Sequence, residues 1–199
     1  MRIMIFFMAM MLTSLNGVSD ESWVLALDED QLQIYTKPVP GSPFLAVKGV
    51  VKINATPKQL AASLGSDNEC AKWRKMCKSS RVIEQISEDE RIVHTILDLP
   101  WPLSDRDVVN RVTVERCART GRITVKAVSD PKLPPSKKYV RALSNTSIEI
   151  LPVSDTATRL TLISHADMGG DLPPDRINER IPRGTLEDLR VLKSLVEGR

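Results

Sequence analysis

The sequence contains few of the residue types that mark specialised protein classes. Only 4% of its 199 residues are aromatic, three are cysteine and two are histidine. With 28 Lys and Arg against 25 Asp and Glu, the formal net charge is +3. This charge does not favour nucleic-acid binding, which usually requires a strongly basic face. The hydrophobic fraction of 42% is enough to close a core, and it therefore excludes a largely disordered chain.

Motifs of the common enzyme classes are also missing. The sequence contains no GxSxG elbow, no HExxH pair, no P-loop and no GxGxxG. With only His94 and His165, a site that pairs a nucleophile with a histidine would have to be assembled from distant segments. The cysteines show neither CxxC spacing nor a Cys/His pattern, so we expect no metal site and no cofactor.

The longest apolar run lies at the start of the chain. Arg2 is followed by roughly ten apolar residues, and then by small or polar residues that include Gly17 and Ser19. This three-part pattern is typical of a secretory signal peptide cut after Ser19, and the run is short for a membrane-spanning helix. We therefore predict a signal peptide at 1–19, one domain at 20–199, and export to the periplasm or the medium. A buried N-terminal helix and an uncleaved anchor are the alternatives, and Gly17 is an alternative cut site.

An oxidising compartment would allow two of the three cysteines to pair. Cys70 and Cys77 are the expected pair. On one straight helix their Cα atoms would lie about 10.5 Å apart, whereas a disulfide tolerates at most about 7 Å. The bond therefore predicts that the chain leaves the helix and turns at Trp73–Met76. Three buried thiols, including that of Cys117, are the alternative.

The order of the predicted elements indicates an α+β fold. Alternating apolar residues predict strands at 31–36, 44–54, 81–86, 91–99, 107–116, 122–128, 139–152 and 158–168. Thr56 followed by Pro57 predicts the start of a helix. A second helical pattern begins at Asp175, with an expected break at Pro182–Gly184 and a restart capped by Thr185. A curved antiparallel sheet against such a helix would leave a cavity for a small apolar ligand.

Four short motifs occur in an order that resembles one known family. They are PWP followed by RD at Pro100–Asp107, YVR at Tyr139–Arg141, HAD followed by GG at His165–Gly170, and TLE followed by LR at Thr185–Arg190. Together they resemble the START domains, the steroidogenic-acute-regulatory-protein-related lipid-transfer family. The chain is most similar to the exported bacterial single-domain members, and the resemblance covers nearly all of the sequence after residue 19.

The resemblance implies a helix-grip fold, in which a curved antiparallel sheet wraps around a long C-terminal helix and encloses a lipid-sized tunnel. It also implies non-covalent binding of a lipid, sterol or similar hydrophobic molecule, and transfer between membranes through transient contact. The loop at Trp101 and the terminal helix, with Ile177, Ile181 and Leu189, would flank the entrance. We expect the protein to be a monomer.

Polar residues near these motifs are further candidates for ligand contact or gating. Arg106 and Asp107 are expected to form an ion pair that fixes the fold. Arg141, if it points inward, would pair with a lipid headgroup or an internal carboxylate, because an unpaired buried charge is costly. His165 and Asp167 share one face of a strand, and we expect an orienting hydrogen bond there rather than catalysis.

Two other functions stay open at this point. A cyclase- or hydrolase-like enzyme would use the same cavity on a small hydrophobic substrate, with His165 and Asp167 as acid and base. A protein-interaction module would have its cavity filled by its own side chains. For the lipid carrier, Gly169–Gly170 and Pro182–Gly184 are the expected hinges of an opening motion.

Overall fold

The computed structural model of the protein describes residues 22–65 and 69–198, and the predicted signal peptide lies outside this range. The strands are β1 (Val24–Glu29), β2 (Leu32–Val39), β3 (Ser42–Ile53), β4 (Cys77–Ser87), β5 (Glu90–Leu97), β6 (Arg106–Cys117), β7 (Arg122–Ser129), β8 (Val140–Arg141), β9 (Leu143–Ser154) and β10 (Ala157–Asp167). The helices are α1 (Pro57–Gly65), α2 (Glu69–Trp73) and α3 (Pro174–Glu197). Within the described ranges, none of these helices is both long and apolar enough to cross a membrane.

The strands form one sheet, and α3 packs against it. Nine strands pair in the order β1-β2-β3-β10-β9-β7-β6-β5-β4, with every pairing on this path antiparallel. The short β8 lies off this path and pairs in parallel with β6. Helix α3 contacts β1, β2 and β3. The α+β prediction of a curved antiparallel sheet with a long C-terminal helix is therefore confirmed.

The main core lies between α3 and one face of the neighbouring strands. Apolar residues recur along β2, β3, β9 and β10 so that this face is buried. Helix α3 contributes Leu186, Leu189 and Leu192, which recur every three residues and are fully buried. Burial of one such side chain is worth about 1.5–3 kcal/mol. These three leucines therefore hold α3 firmly on the sheet.

Helix α3 is continuous, and the predicted break at Pro182–Gly184 is wrong. Pro182 lies inside the helix and removes one backbone hydrogen bond. The burial of the three leucines that follow outweighs this local cost, so that Thr185 lies within the helix and caps nothing. Pro174 at the first helical position starts the helix, and Gly198 ends it in the left-handed conformation, with φ of 71°.

Polar contacts fix α3 to the β1–β3 side of the sheet along its length. The Asn178 side chain accepts a hydrogen bond from the backbone N–H of Leu45 at 2.9 Å, and the Arg190 guanidinium lies 2.7 Å from Asp30. Further contacts join Asn178 to Pro43, Arg183 to Glu29, Arg190 to Glu29, and Glu197 to Asn54. Each surface ion pair is worth little alone. Because these contacts are distributed along the whole helix, they hold α3 in a fixed position against the sheet.

The predicted disulfide is present. Helix α2 ends at Trp73, the chain turns, and β4 begins at Cys77. This turn brings the Cα atoms of Cys70 and Cys77 to 5.9 Å, within the range that a disulfide spans. Cys117 remains a half-buried free thiol. The bond ties α2 to the start of β4.

Candidate ligand-binding cavity

A cavity of about 280 Å³ lies between the sheet and the helices. Its wall is built from β4, β5, β6, β7, β9 and β10, together with α2, the last turn of α1 and one residue of α3. The volume lies near the lower end of the range of about 300–1,000 Å³ that is typical of small-molecule sites.

The alternation of side chains along each strand explains which residues form this wall. Val108 and Val112 of β6, Ile148 of β9 and Leu162 of β10 face the cavity. Each is part of a run in which every second side chain points the same way. An apolar molecule bound here would gain roughly 25 cal/mol for each Å² of apolar surface removed from water.

A polar stripe interrupts this apolar wall. Asn110 of β6 donates a hydrogen bond from Nδ2 to the Ser144 hydroxyl of β9 at 3.0 Å. The hydroxyls of Thr146 on β9 and Ser164 on β10 lie 2.7 Å apart. All four side chains line the cavity. Because they satisfy one another, the stripe is stable without a ligand, and its hydroxyls can also turn towards one.

The end of the cavity beside the disulfide carries an aromatic ring and charged groups. Trp73, Arg74 and Asp188 all line it. The Asp188 carboxylate accepts a hydrogen bond from the backbone N–H of Lys75 at 3.0 Å, and Arg74 Nε lies 3.9 Å from the same carboxylate. Burial raises the pKa of Asp188 above its usual value. This end is the more polar part of the wall.

Asp107 is the centre of a buried ionic cluster. Its carboxylate accepts hydrogen bonds from Arg141 Nε at 3.0 Å and Nη2 at 2.9 Å, and it lies 3.2 Å from His94 Nε2. Burial raises the pKa of Asp107, but the hydrogen bonds from Arg141 and His94 outweigh it, so that the pKa lies below its usual value. Arg141 thus pairs with an internal carboxylate, one of the two partners expected for it.

The expected ion pair between Arg106 and Asp107 is wrong. The two residues are consecutive on β6 and therefore point to opposite faces of the sheet. Arg106 is 3% exposed and donates to three backbone carbonyls, those of Ser104, Met168 (3.0 Å) and Gly169 (3.1 Å). It therefore ties the loop before β6 to the segment between β10 and α3.

Gly169 is held tightly in that segment. Its φ is +61°, in the left-handed region, and a Cβ at this position would lie 2.6 Å from the backbone oxygen of Arg141. A side chain is excluded by both the backbone conformation and the close contact. The expected hinge at Gly169–Gly170 is thus a packed glycine turn in this structure.

None of the eight candidate residues predicted from the sequence lines the cavity. His165 and Asp167 alternate along β10 with Ser164 and Ala166, which face the cavity, so the two candidates point to the opposite face. His165 Nε2 lies 3.0 Å from the Ser42 hydroxyl, and Asp167 accepts the backbone N–H of Gly169 at 2.9 Å. His165 thus joins β10 to the start of β3, and Asp167 holds the turn that follows β10.

The remaining six candidates also lie outside the cavity wall. Trp101 is 92% exposed on the loop before β6. On α3, Leu189 is fully buried in the main core, Ile181 packs against that core, and Ile177 is half-buried. Arg106 donates to the backbone carbonyls described above, and Arg141 belongs to the buried ionic cluster around Asp107. Any part that these residues play in ligand entry stays a prediction.

The curved sheet and the terminal helix define a helix-grip fold with an internal cavity. A model of the START domain family matches residues 7–197, and the chain belongs to this family. An uncharacterized protein of Pseudomonas aeruginosa is 29% identical over 181 residues, which cover 90% of this chain and 89% of that protein.

Solved structures show the same fold. A StAR-related lipid transfer protein from Xanthomonas axonopodis is 27% identical, with a TM-score of 0.79, and the match covers 87% of this chain and 98% of that one. Human StAR-related lipid transfer protein 5 is 21% identical, with a TM-score of 0.81, and the match covers 88% of this chain and 86% of the human one.

Proposed function

We propose that the protein binds one lipid-like hydrophobic molecule non-covalently in the cavity and carries it between membranes. The observation that carries the proposal is a cavity of about 280 Å³ with a largely apolar wall between the sheet and the helices. Membership of the START family and the similarity to the lipid transfer protein of Xanthomonas axonopodis support it.

The proposed mechanism is exchange of one apolar environment for another. Each buried methylene is worth about 0.8 kcal/mol in the cavity, and a bilayer offers a similar amount. The ligand therefore gains or loses little on moving between them, and the protein shields it from water on the way. The cavity of about 280 Å³ lies at the lower end of the range of about 300–1,000 Å³ for small-molecule sites. This size favours a compact ligand over a phospholipid with two chains.

The loop before β6 is the part that we propose to contact a membrane. Trp101 is 92% exposed at this loop, and Leu103 beside it is also exposed. Tryptophan is enriched at membrane–water interfaces because its ring is amphipathic. Helix α3 is pinned to β1–β3 by its leucines and polar contacts, so we place ligand entry on the opposite side, between this loop and α2.

Acid–base catalysis by His165 and Asp167, the enzymatic alternative, gains no support from the site. Both side chains point away from the cavity, so a bound substrate would not reach them. The ionisable side chains on the described wall are Arg74, Arg91 and Asp188. Asp188 is held by the backbone of Lys75 and faces Arg74.

A pair of adjacent substitutions on β7 tests whether the cavity is the binding site. Ala127 faces the cavity, whereas Val128 is exposed on the other face of the same strand. We expect Ala127→Phe to fill part of the cavity and to weaken binding of n-nonane, a compact apolar probe, at least tenfold. Val128→Phe is the matched control and should change binding less than twofold. Equal effects of the two variants, in proteins with native circular dichroism, would place the ligand elsewhere.

We also propose that the protein is exported. The Cys70–Cys77 bond is of a kind that persists in oxidising compartments and is rare in the cytosol. The intact mass of the protein from the cell envelope should correspond to a chain that begins at Asp20 and has lost the two hydrogens of the disulfide. A mass that includes Met1, or one with three free thiols, would contradict this part of the proposal.

A further inference from the structure

Trp73 has a buried hydrogen-bond donor without a partner. Trp73 is 6% exposed, and it forms part of the cavity wall. Among the residues that the structure describes, none accepts a hydrogen bond from its indole Nε1–H. Buried indole N–H groups usually have a partner, and exceptions in native proteins call for an explanation.

We propose that Trp73 Nε1–H donates a hydrogen bond to a neutral oxygen at one end of the bound ligand. This subsite rests on the proposed function and narrows it. The ligand would be an apolar molecule with an alcohol, ether or carbonyl oxygen at the end of the cavity beside the disulfide. The rest of the ligand would lie against the apolar side chains that β6, β9 and β10 contribute to the wall, among them Val108, Ile148 and Leu162.

The charges at this end favour a neutral oxygen over a carboxylate. A buried anion needs a cation that is free to pair with it. Arg74 already lies 3.9 Å from Asp188, with its guanidinium 5.5 Å from the centre of the Trp73 ring. Arg91, the other cation on the described wall, is not free either. The Asp188 carboxylate would also repel an anionic ligand, whereas an alcohol can donate a hydrogen bond to it.

Three small probes separate these possibilities: 1-octanol, n-nonane and octanoate. The first two differ only in the exchange of a terminal methyl group for a hydroxyl. We expect Trp73→Phe, which keeps an aromatic ring but removes the N–H, to weaken binding of 1-octanol about tenfold. Binding of n-nonane should change less than twofold. Trp23→Phe is the matched control, because Trp23 lies outside the cavity wall, and it should leave both affinities unchanged.

Equal loss of 1-octanol and n-nonane binding in Trp73→Phe would overturn the inference, since it would show a packing role only. The inference would also be overturned if Trp73→Phe bound 1-octanol as tightly as the wild-type protein does, or if the variant lost more affinity for octanoate than for 1-octanol. If the wild-type protein binds none of the three probes, the proposed function itself fails, and the subsite fails with it. If n-nonane binds and the variant leaves 1-octanol unaffected, the proposed function stands and only the subsite is refuted.

The indole proton gives a second test that does not require the Trp73 variant to fold. The protein has three tryptophans, and the single variants Trp23→Phe and Trp101→Phe identify the Nε1–H resonance of Trp73 by elimination. Addition of 1-octanol to the wild-type protein should shift this resonance downfield, as expected for a new hydrogen bond, and n-nonane should not. The same shift with both probes, or with neither, would contradict the proposed bond.

Discussion

The contact between Gly49 and helix α3 predicts that one added methyl group will destabilise the fold. Gly49 lies in β3 beneath the helix, and a Cβ there would be 2.4 Å from Leu189 Cδ1 and 3.4 Å from Ile34 Cδ1. Leu189 and Ile34 are both fully buried. In Gly49→Ala the leucine must therefore change rotamer or push α3 away from the sheet.

The expected size of the effect follows from two opposing contributions. Overpacking of a well-filled core costs about 1–3 kcal/mol. Replacement of glycine by alanine also lowers the conformational entropy of the unfolded chain, which stabilises the folded state by about 0.4–1 kcal/mol. The net loss in the free energy of unfolding should be about 1–2 kcal/mol, which lowers the melting temperature of a domain of this size by about 2–8 °C.

A double-mutant cycle measured by urea unfolding tests the cause of this loss. Leu189→Ala alone should cost about 2–5 kcal/mol because it leaves a cavity. In the Gly49→Ala background it should cost about 1 kcal/mol less, since the two changes relieve each other. Gly184→Ala is the control: apart from its chain neighbours and the backbone of its own helix, no atom lies within 4 Å of a Cβ built there, so it should not destabilise. Additivity within about 0.5 kcal/mol, or a stabilising Gly49→Ala, would refute the reasoning.

Three further predictions concern the loop, the ionic cluster and the disulfide. Trp101→Ala should lower the melting temperature by less than about 2 °C, because the ring is exposed, yet slow transfer of a fluorescent lipid between vesicles; an unchanged transfer rate would remove its membrane role. Asp107→Asn leaves Arg141 without its carboxylate and should cost about 3 kcal/mol at pH 7. Because the pKa of Asp107 is lowered by folding, the wild-type protein loses this stabilisation as the pH falls below about 3.9. The difference in free energy of unfolding between the wild-type protein and Asp107→Asn, measured with urea, should therefore become smaller from pH 5 to pH 2. A difference that does not change with pH would contradict the stabilising role of the Asp107 carboxylate. Replacement of both Cys70 and Cys77 by serine should lower the free energy of unfolding by about 2.5 kcal/mol, because the unfolded chain gains entropy. Equal stability of the oxidised and reduced wild-type protein would argue against this.

Features set by neighbours in the sequence could be predicted. The start of α1 is one example, because Thr56 accepts the backbone N–H of Gln59 at 3.3 Å just before Pro57 opens the helix. The turn between Cys70 and Cys77 is another, because the fixed length of a disulfide excludes a straight helix between them. Most strands were predicted for the same reason, since their alternation is local. Strand β1 was not among them, and the single strand expected at 139–152 is divided into β8 and β9.

Features that depend on tertiary packing could not be predicted. Pro182 predicts a break when only its own turn is considered, but buried leucines further along carry the helix through it. The partner of Asp107 is Arg141, which a long segment separates from it in the chain, and no local pattern favours it over the adjacent Arg106.

The residues of the cavity were missed because the conspicuous motifs lie at strand ends and on the outer face of the sheet. A shift of one residue moves every side chain of a strand to the other face. On β10, the alternation of apolar residues could have shown which side chains face the cavity. Leu162, Ser164 and Ala166 share one face with buried Leu160, and His165 lies on the other. Applied to β6 and β9, the same alternation would have identified Asn110 and Thr146.

Strands β3 and β10 join the two halves of the sheet, although they are far apart in the chain. The hydroxyl of Thr158, at the start of β10, bonds to the backbone oxygen of Ala55, which lies 103 residues earlier. Chain entropy opposes the closure of so long a loop, and proteins that depend on such distant pairs fold slowly. A growing chain that lacks β10 and α3 therefore has no partner for the inner edge of β3 and no helix to bury its apolar face. It therefore stays without its main core until β10 and α3 have been synthesised, and until then the apolar face of β3 remains exposed to water.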